Sequence, residues 1–190
     1  MALPPHLLGN FSASELEFIA EEELIYIVPN VKIPALYLIG GTYGPFRPGR
    51  QYEIPIWLAI LLKQKQRVEI TLPDWLSIGK NSKLEDEKNL DNFSSLPFRF
   101  IEISQLILPW VELDVNELDE IRSKLKNIRE IRQNKVREGI QAVDQNYLQV
   151  DNISHLELNL IRPMLSKSYQ HINRMQSQMD QEGDNSNIYD

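Results

Sequence analysis

Cysteine is absent from the chain. Disulfide staples, thiolate zinc sites and cysteine nucleophiles are excluded together, and the absence suits a reducing compartment. Histidine is scarce: His6, His155 and His171 are dispersed, none lies four residues from another, and no His-Glu-x-x-His spacing occurs. Surface or helix-end roles are therefore expected for them, not metal binding. No serine stands in a Gly-x-Ser-x-Gly context, so a nucleophile elbow is missing. Long hydrophobic runs are missing as well. The longest, Ile54 to Leu62, is far too short to span a bilayer, and Met1 to Leu8 carries neither a basic flank nor a long apolar stretch. A protein neither secreted nor membrane-embedded is expected. Positive charge is in deficit, with a formal net charge of −7, which repels a phosphate backbone unless basic groups are concentrated on one face.

What the sequence does contain is globular. Its 190 residues are 42% hydrophobic and 25% charged, enough for one ordinary domain, or a medium domain with a small companion, around a real core. Ser12-Ala13-Ser14-Glu15 has the spacing of a capping box, and Leu16, Ile19 and Ala20 follow at helical intervals. Ile25 to Val28, Ala35 to Ile39 and a piece before Pro55 are short branched or aromatic runs bounded by Pro and Gly, which predicts strands. Pro55 suits the first turn of a helix, which runs through Ile56 to Leu62 into Lys63 and Lys65. Val68 to Leu72 reads as one more strand and Asp74-Trp75-Leu76 as a turn.

Beyond that point the pattern is helical. Lys80 to Leu90 is polar and reads as a surface helix or loop, whereas Phe98 to Trp110 has helical periodicity and stops at Pro109. Asn116 is placed to cap a helix reaching about Asn146, with Glu117, Asp119 and Glu120 in its first turn. Ser154-His155-Leu156-Glu157 is a second capping box, followed by Leu158, Leu160, Ile161, Met164 and Leu165, with a bend expected at Pro163. Those side chains cover nearly every direction of a helical wheel, so the helix needs cover from all sides. A chain of this size rarely supplies it alone, and partner chains are the simplest source. The fold class expected is α+β, mostly α: a small β-rich domain with an N-terminal helix at 1–54, a larger helical assembly domain with long helices at 55–176, and a flexible acidic tail at 177–190.

The Gly-rich stretch from Gly40 to Gly49 fails as a phosphate loop, because Pro45 and Pro48 interrupt it and no lysine follows. It reads as a connector that carries Tyr43, Phe46 and Arg47 outward as a recognition surface. Carboxylates such as Glu85-Asp86-Glu87 read as a solvated face. On the long helix Arg122, Arg129 and Arg132 fall within or beside the apolar stripe of Leu118, Ile121 and Leu125, while Lys124, Lys126 and Lys135 point elsewhere. Basic groups spread around a rod fit a protein seam better than a nucleic-acid face, although a helical nucleic-acid-binding module acting through this helix is the alternative. The subunit-interface residues expected are Leu125, Ile128, Arg129, Arg132, Leu156, Leu160 and Met164, with Arg129 and Arg132 finding carboxylate or carbonyl partners within this subunit or across the seam.

Glu15 to Leu24, Ile27-Val-Pro-Asn30, Leu36-Tyr-Leu-Ile-Gly-Gly-Thr-Tyr-Gly-Pro-Phe-Arg-Pro-Gly49, Ile54 to Gln66 and Leu72-Pro-Asp-Trp-Leu76 resemble, in order, the second "partner of Sld-five" (Psf-two) branch of the eukaryotic GINS family. The likeness continues through Ile128 to Val136 and Leu148 to Leu158, and the Met-Ala-Leu-Pro opening looks like the fungal form. The resemblance implies a nuclear heterotetramer with Sld-five, Psf-one and Psf-three, each subunit having a small β-rich and a larger helical domain. It further implies that the tetramer joins the minichromosome-maintenance (MCM) ring and its RecJ-like cofactor in the replicative helicase. It implies no ATPase site and no cofactor in this chain. Tyr43, Phe46 and Arg47 are then the candidate helicase-docking residues.

Overall fold

The computed structural model describes residues 10–77, 87–90, 92–141, 151–167, 170 and 174. Helix α1 spans Ala13–Ala20 and begins with both halves of the expected capping box: the Glu15 backbone N–H donates to Ser12 Oγ, and the Glu15 carboxylate accepts from the Ser12 backbone N–H at 2.8 Å. The closure satisfies two backbone donors that a helix start leaves orphaned. Leu16 and Ala20, four residues apart, form its buried face.

Strand β1 (Leu24–Pro29) is the centre of a three-stranded antiparallel sheet, flanked by β4 (Tyr52–Pro55) and β5 (Val68–Ile70). Ile25, Ile27 and Pro29 point inward while Leu24 and Tyr26 face out, the alternation that a half-buried strand requires. Ile27 lies opposite Tyr52 on one side and Ile70 on the other. Between β1 and β4 the chain forms a second antiparallel pair, β2 (Leu36–Leu38) with β3 (Gly41–Tyr43), whose two-residue connection is Ile39-Gly40. An Ile33 to Phe46 bridge extends that hairpin at its base.

Helix α2 (Ile56–Gln64) follows Pro55 directly, and its first amides are not wasted: Ile56 N–H donates to the Glu23 carbonyl and Trp57 N–H to that of Glu21. The helix ends on Gln66 at φ 54°, with Gln66 N–H on the Lys63 carbonyl and Arg67 N–H on that of Leu62. This is the double closure in which glycine usually takes the left-handed position. After the short 3-10 turn Asp74–Leu76 come α3 (Phe100–Ile107) and the 27-residue α4 (Val115–Gln141), about 40 Å long. Helix α4 starts one residue before Asn116, and the Asp114 carbonyl accepts its first bond, from Leu118 N–H. A further helix, α5, covers 155–167 and includes Pro163.

One core joins these layers. Ile25, Ile27, Ile54, Leu58, Leu62 and Val68 meet Ile103 and Ile107 of α3 and Ile121 of α4. A smaller group, Phe100, Ile101 and Ile128, lies next to it, with Trp75 packed edge-on against Phe100. The division expected at 54/55 is therefore misplaced. Strand β5 lies beyond it yet hydrogen-bonds to β1, and α2 packs on the same sheet. The β-rich unit extends through residue 70, because strand pairing is non-local and the helix between two strands hides it. The tail at 177–190 and the C-terminal extension of α4 toward Asn146 lie outside the described residues.

Candidate subunit interface and its supporting ion cluster

Along α4 the described side chains that are buried are Ile121, Ile128 and Arg132, seven and four residues apart and hence on one face. Two apolar members of that stripe enter the core; the third is a guanidinium with no exposed surface at all. Its burial is matched bond for bond. Arg132 Nε and Nη2 donate to the two Glu157 carboxylate oxygens at 2.9 Å each, Nη1 donates to Glu87 Oε2 at 3.2 Å, and Nη2 reaches the Asn152 carbonyl at 2.6 Å. Its flat face lies 4.5 Å from the Phe93 ring centroid and 5.4 Å from that of Phe100, which suits a planar, weakly hydrated cation.

Both carboxylates have further donors. Glu87 accepts from Ser94 N–H at 3.0 Å, from Ser94 Oγ, and from Lys135 Nζ at 2.8 Å. Lys135 also donates to the carbonyls of Glu87 and Asn92. Glu157 is the reciprocal partner of Ser154 in the second capping box, accepting its N–H at 2.9 Å. The box that starts α5 thus also fastens α5 to the middle of α4, and Glu87 with Ser94 to both. Two cations face two carboxylates, so no buried charge is left over.

The titration behaviour follows. Burial raises Glu157 and Glu87, but hydrogen bonds from Arg132 to the first, and from Lys135 and Ser94 to the second, with the Arg132 charge behind both, outweigh it and hold both below the ordinary value of 4.5. Glu102, on α3, is the opposite case. Burial raises it, outweighing the backbone amides of Glu102 and Leu156 and the charge of Arg99, none of which gives either oxygen a well-formed hydrogen bond; His155 Nδ1 lies 3.8 Å away, its own value lowered by burial and by the charge of Arg99.

These shifts fix opposite signs. A lowered folded-state pKa contributes stability above the unfolded value that is lost as pH falls through it, so the Arg132 cluster loosens below about pH 4.5. Glu102 costs stability as pH rises above that value. Glu102→Gln should therefore raise the melting temperature near neutral pH, by about 1 kcal/mol of stability, and change little near pH 4. Thermal melts of the assembled protein at both pH values test this, and a lower melting temperature at neutral pH would contradict it.

Outward from the cluster lies a groove in two parts. Between α3 and α4 is a cavity of about 380 Å³ whose lining includes Phe100, Ile101, Leu108, Arg122, Leu125 and Arg129. Between α4 and α5 is one of about 260 Å³ lined by Ile101, Arg129, Val136, Leu156, Leu160 and Ile161, among others. Ile101 and Arg129 line both, so the two parts adjoin. Helix α5 is inverted relative to an ordinary amphipathic helix. Its buried positions are Glu157 and Asn159, the latter bonded to Phe11 N–H and carbonyl, whereas Leu160 is 57% and Met164 51% exposed.

The expected interface residues therefore separate. Leu125, Leu156 and Leu160 line the groove, Arg129 stands exposed at its rim, and Met164 is exposed farther along α5. Ile128 and Arg132 are buried inside this chain. Arg132 finds its carboxylates within this subunit, one of the two places expected, whereas Lys135, expected to point away, is drawn into the same cluster. Glu87, expected on a solvated face, is fully buried because Arg132, Lys135 and Ser94 supply its bonds; Asn152 had no expected role and Glu157 only that of a capping residue, and the combination of that capping box with an arginine in an apolar stripe is the signal that links two of the participants. The Gly-rich segment needs a larger correction. Phe46 is 2% exposed and edge-on to Tyr52 at 5.1 Å, and Tyr43 is half-buried and edge-on to Trp57 at 6.2 Å. Only Arg47 of the three stands exposed. The outward-facing side chains of the hairpin are Tyr37, Leu38 and Ile39.

Family models match both parts of this architecture: residues 12–71 match the PSF2 N-terminal domain, and residues 75–176 match the GINS complex protein helical bundle domain. The chain belongs to the PSF2 family of GINS proteins. Among similar proteins, the DNA replication complex GINS protein psf2 of Schizosaccharomyces pombe is 39% identical, covering 86% of this chain and 90% of that protein. The PSF2 protein of Homo sapiens is 33% identical over 88% and 93%, and the probable PSF2 protein of Drosophila melanogaster 34% over 86% and 83%. The two matches meet between residues 71 and 75, where β5 has already closed the sheet.

Proposed function

We propose that the chain is a non-catalytic structural subunit of the GINS complex in chromosomal DNA replication, acting in a nuclear heterotetramer with Sld-five, Psf-one and Psf-three. On this reading the tetramer activates and stabilises the MCM helicase ring together with its RecJ-like cofactor, in initiation and in elongation. The observation that carries the assembly reading is the inverted α5: a helix with its carboxylate inward and Leu160 and Met164 outward beside an apolar groove. Burying two such side chains against another chain is worth about 3 kcal/mol or more, whereas leaving them in water promotes aggregation. The names of the relatives, GINS proteins of DNA replication complexes, support membership of such a complex.

Co-expression with the three other subunits tests this reading. The wild-type chain should co-purify as a stoichiometric complex and be poorly soluble alone, while Leu160→Asp with Met164→Asp should abolish co-purification. A monodisperse, cooperatively melting monomer that ignores the other subunits would overturn the proposal.

A further inference from the structure

The groove has one wall of distinct chemistry. Arg122, Lys126, Arg129, Gln133 and Arg137 follow one another on α4 at intervals of four, three, four and four residues, which places them in a single stripe along the helix. All but Gln133 are exposed, and all five line one or other part of the groove. The stripe is about 22 Å long at 1.5 Å per residue. Arg122 has a local partner in Asp119 and Lys126 a distant one in Glu130 at 3.9 Å, both on the exposed surface. Arg129 and Arg137 have no carboxylate partner among the described residues; Arg137 is bonded only to the Asn134 amide oxygen. Arg129 stands where the two parts of the groove join.

We infer that the groove receives an amphipathic helix of a companion subunit, its apolar side on Leu125, Val136, Leu160 and Ile161 and a row of Asp or Glu carboxylates against the Arg122 to Arg137 stripe. The inference rests on the assembly reading above and specifies the partner's chemistry. An apolar floor flanked by a charged edge matches a helix that is apolar on one side and charged beside it. Three of the four cations are arginines, whose forked donors fit carboxylates bidentately. About four turns of a facing helix cover the stripe, so carboxylates at spacings of three or four residues meet it in register. A nucleic-acid backbone is the poorer occupant, because it has no use for the apolar floor.

The test is Arg129→Glu with Arg137→Glu in the co-expressed complex. Both side chains are exposed and neither enters the core, so the fold should survive, which the far-UV spectrum and melt of the recovered chain check. Assembly affinity should fall about tenfold or more near physiological salt, and the wild-type complex should weaken as salt is raised. If the double reversal assembles normally while Leu160→Asp with Met164→Asp does not, the groove is a seam but its occupant is not acidic, and this inference falls alone. If neither pair of changes affects assembly, the assembly reading falls with it. Normal assembly with loss of DNA binding by the complex would assign the stripe to nucleic acid and overturn the inference as well.

Discussion

Replacing Arg132 with Ala should cost the protein about 3–5 kcal/mol, enough to lower the yield and the denaturant midpoint of the assembly sharply, although the residue reaches no surface another chain can touch. The size of the effect comes from what remains. Glu157 would keep the Ser154 amide but lose both guanidinium bonds, and Glu87 would keep Lys135 and Ser94 but lose its second cation. Two buried carboxylates would then face one half-buried ammonium. The Asn152 carbonyl, at a residue held at φ 57°, would lose its donor as well. A paired replacement separates the cost of an orphaned charge from any net value of the ion pair. Arg132→Met with Glu157→Leu should be less damaging than the sum of the single changes, with a coupling of about 1–3 kcal/mol. Denaturant melts of the co-purified complex provide the four corners of that cycle. Additive single and double changes would show that Arg132 and Glu157 do not act as a unit.

The same cluster shows where sequence reasoning stops. Both capping boxes were legible, because Ser12 with Glu15 and Ser154 with Glu157 are local arrangements three residues long. So were the sheet's strands, since Pro and Gly bound short apolar runs. That Arg132 needs a partner was also legible, from its place in an apolar stripe. Which partner was not: Glu157 lies 25 residues away and Glu87 45, and nothing in a helical wheel reports on distant segments. Lys135 fell on a direction that reads as solvent, but Glu87 and Asn92 occupy that direction and turn it inward. The boundary at 54/55 failed for a related reason, because β5 rejoins the sheet only after a helix has intervened. The exposed leucine and methionine of α5 were foreseen as needing cover. The polar character of its opposite, buried face was not, because Glu157 and Asn159 reveal their partners only once the chain has folded.

Phe46→Ala is expected to unfold the β-rich unit's hairpin instead of merely weakening a docking contact, at a cost of about 3–5 kcal/mol. Its ring lies in the core with Ile33, edge-on to Tyr52, and its backbone makes both bonds of the bridge to Ile33, at 2.9 and 3.1 Å. Gly44 stands two residues before it at φ +91°, and a Cβ there would come within 3.1 Å of the ring. Glycine is what lets the chain turn closely over its own phenylalanine. The turn residues that suggested an outward-facing loop therefore serve to fold it back on itself, and the aromatic side chain fills the base of the hairpin. Arg47→Ala, by contrast, should leave stability within about 0.5 kcal/mol, because its side chain is exposed and the bond from its N–H to the Tyr52 hydroxyl belongs to the backbone. Thermal melts of the two variants in the assembled complex discriminate the roles. A large drop for Phe46→Ala with none for Arg47→Ala marks Phe46 as core, whereas two small, equal shifts would return it to the surface.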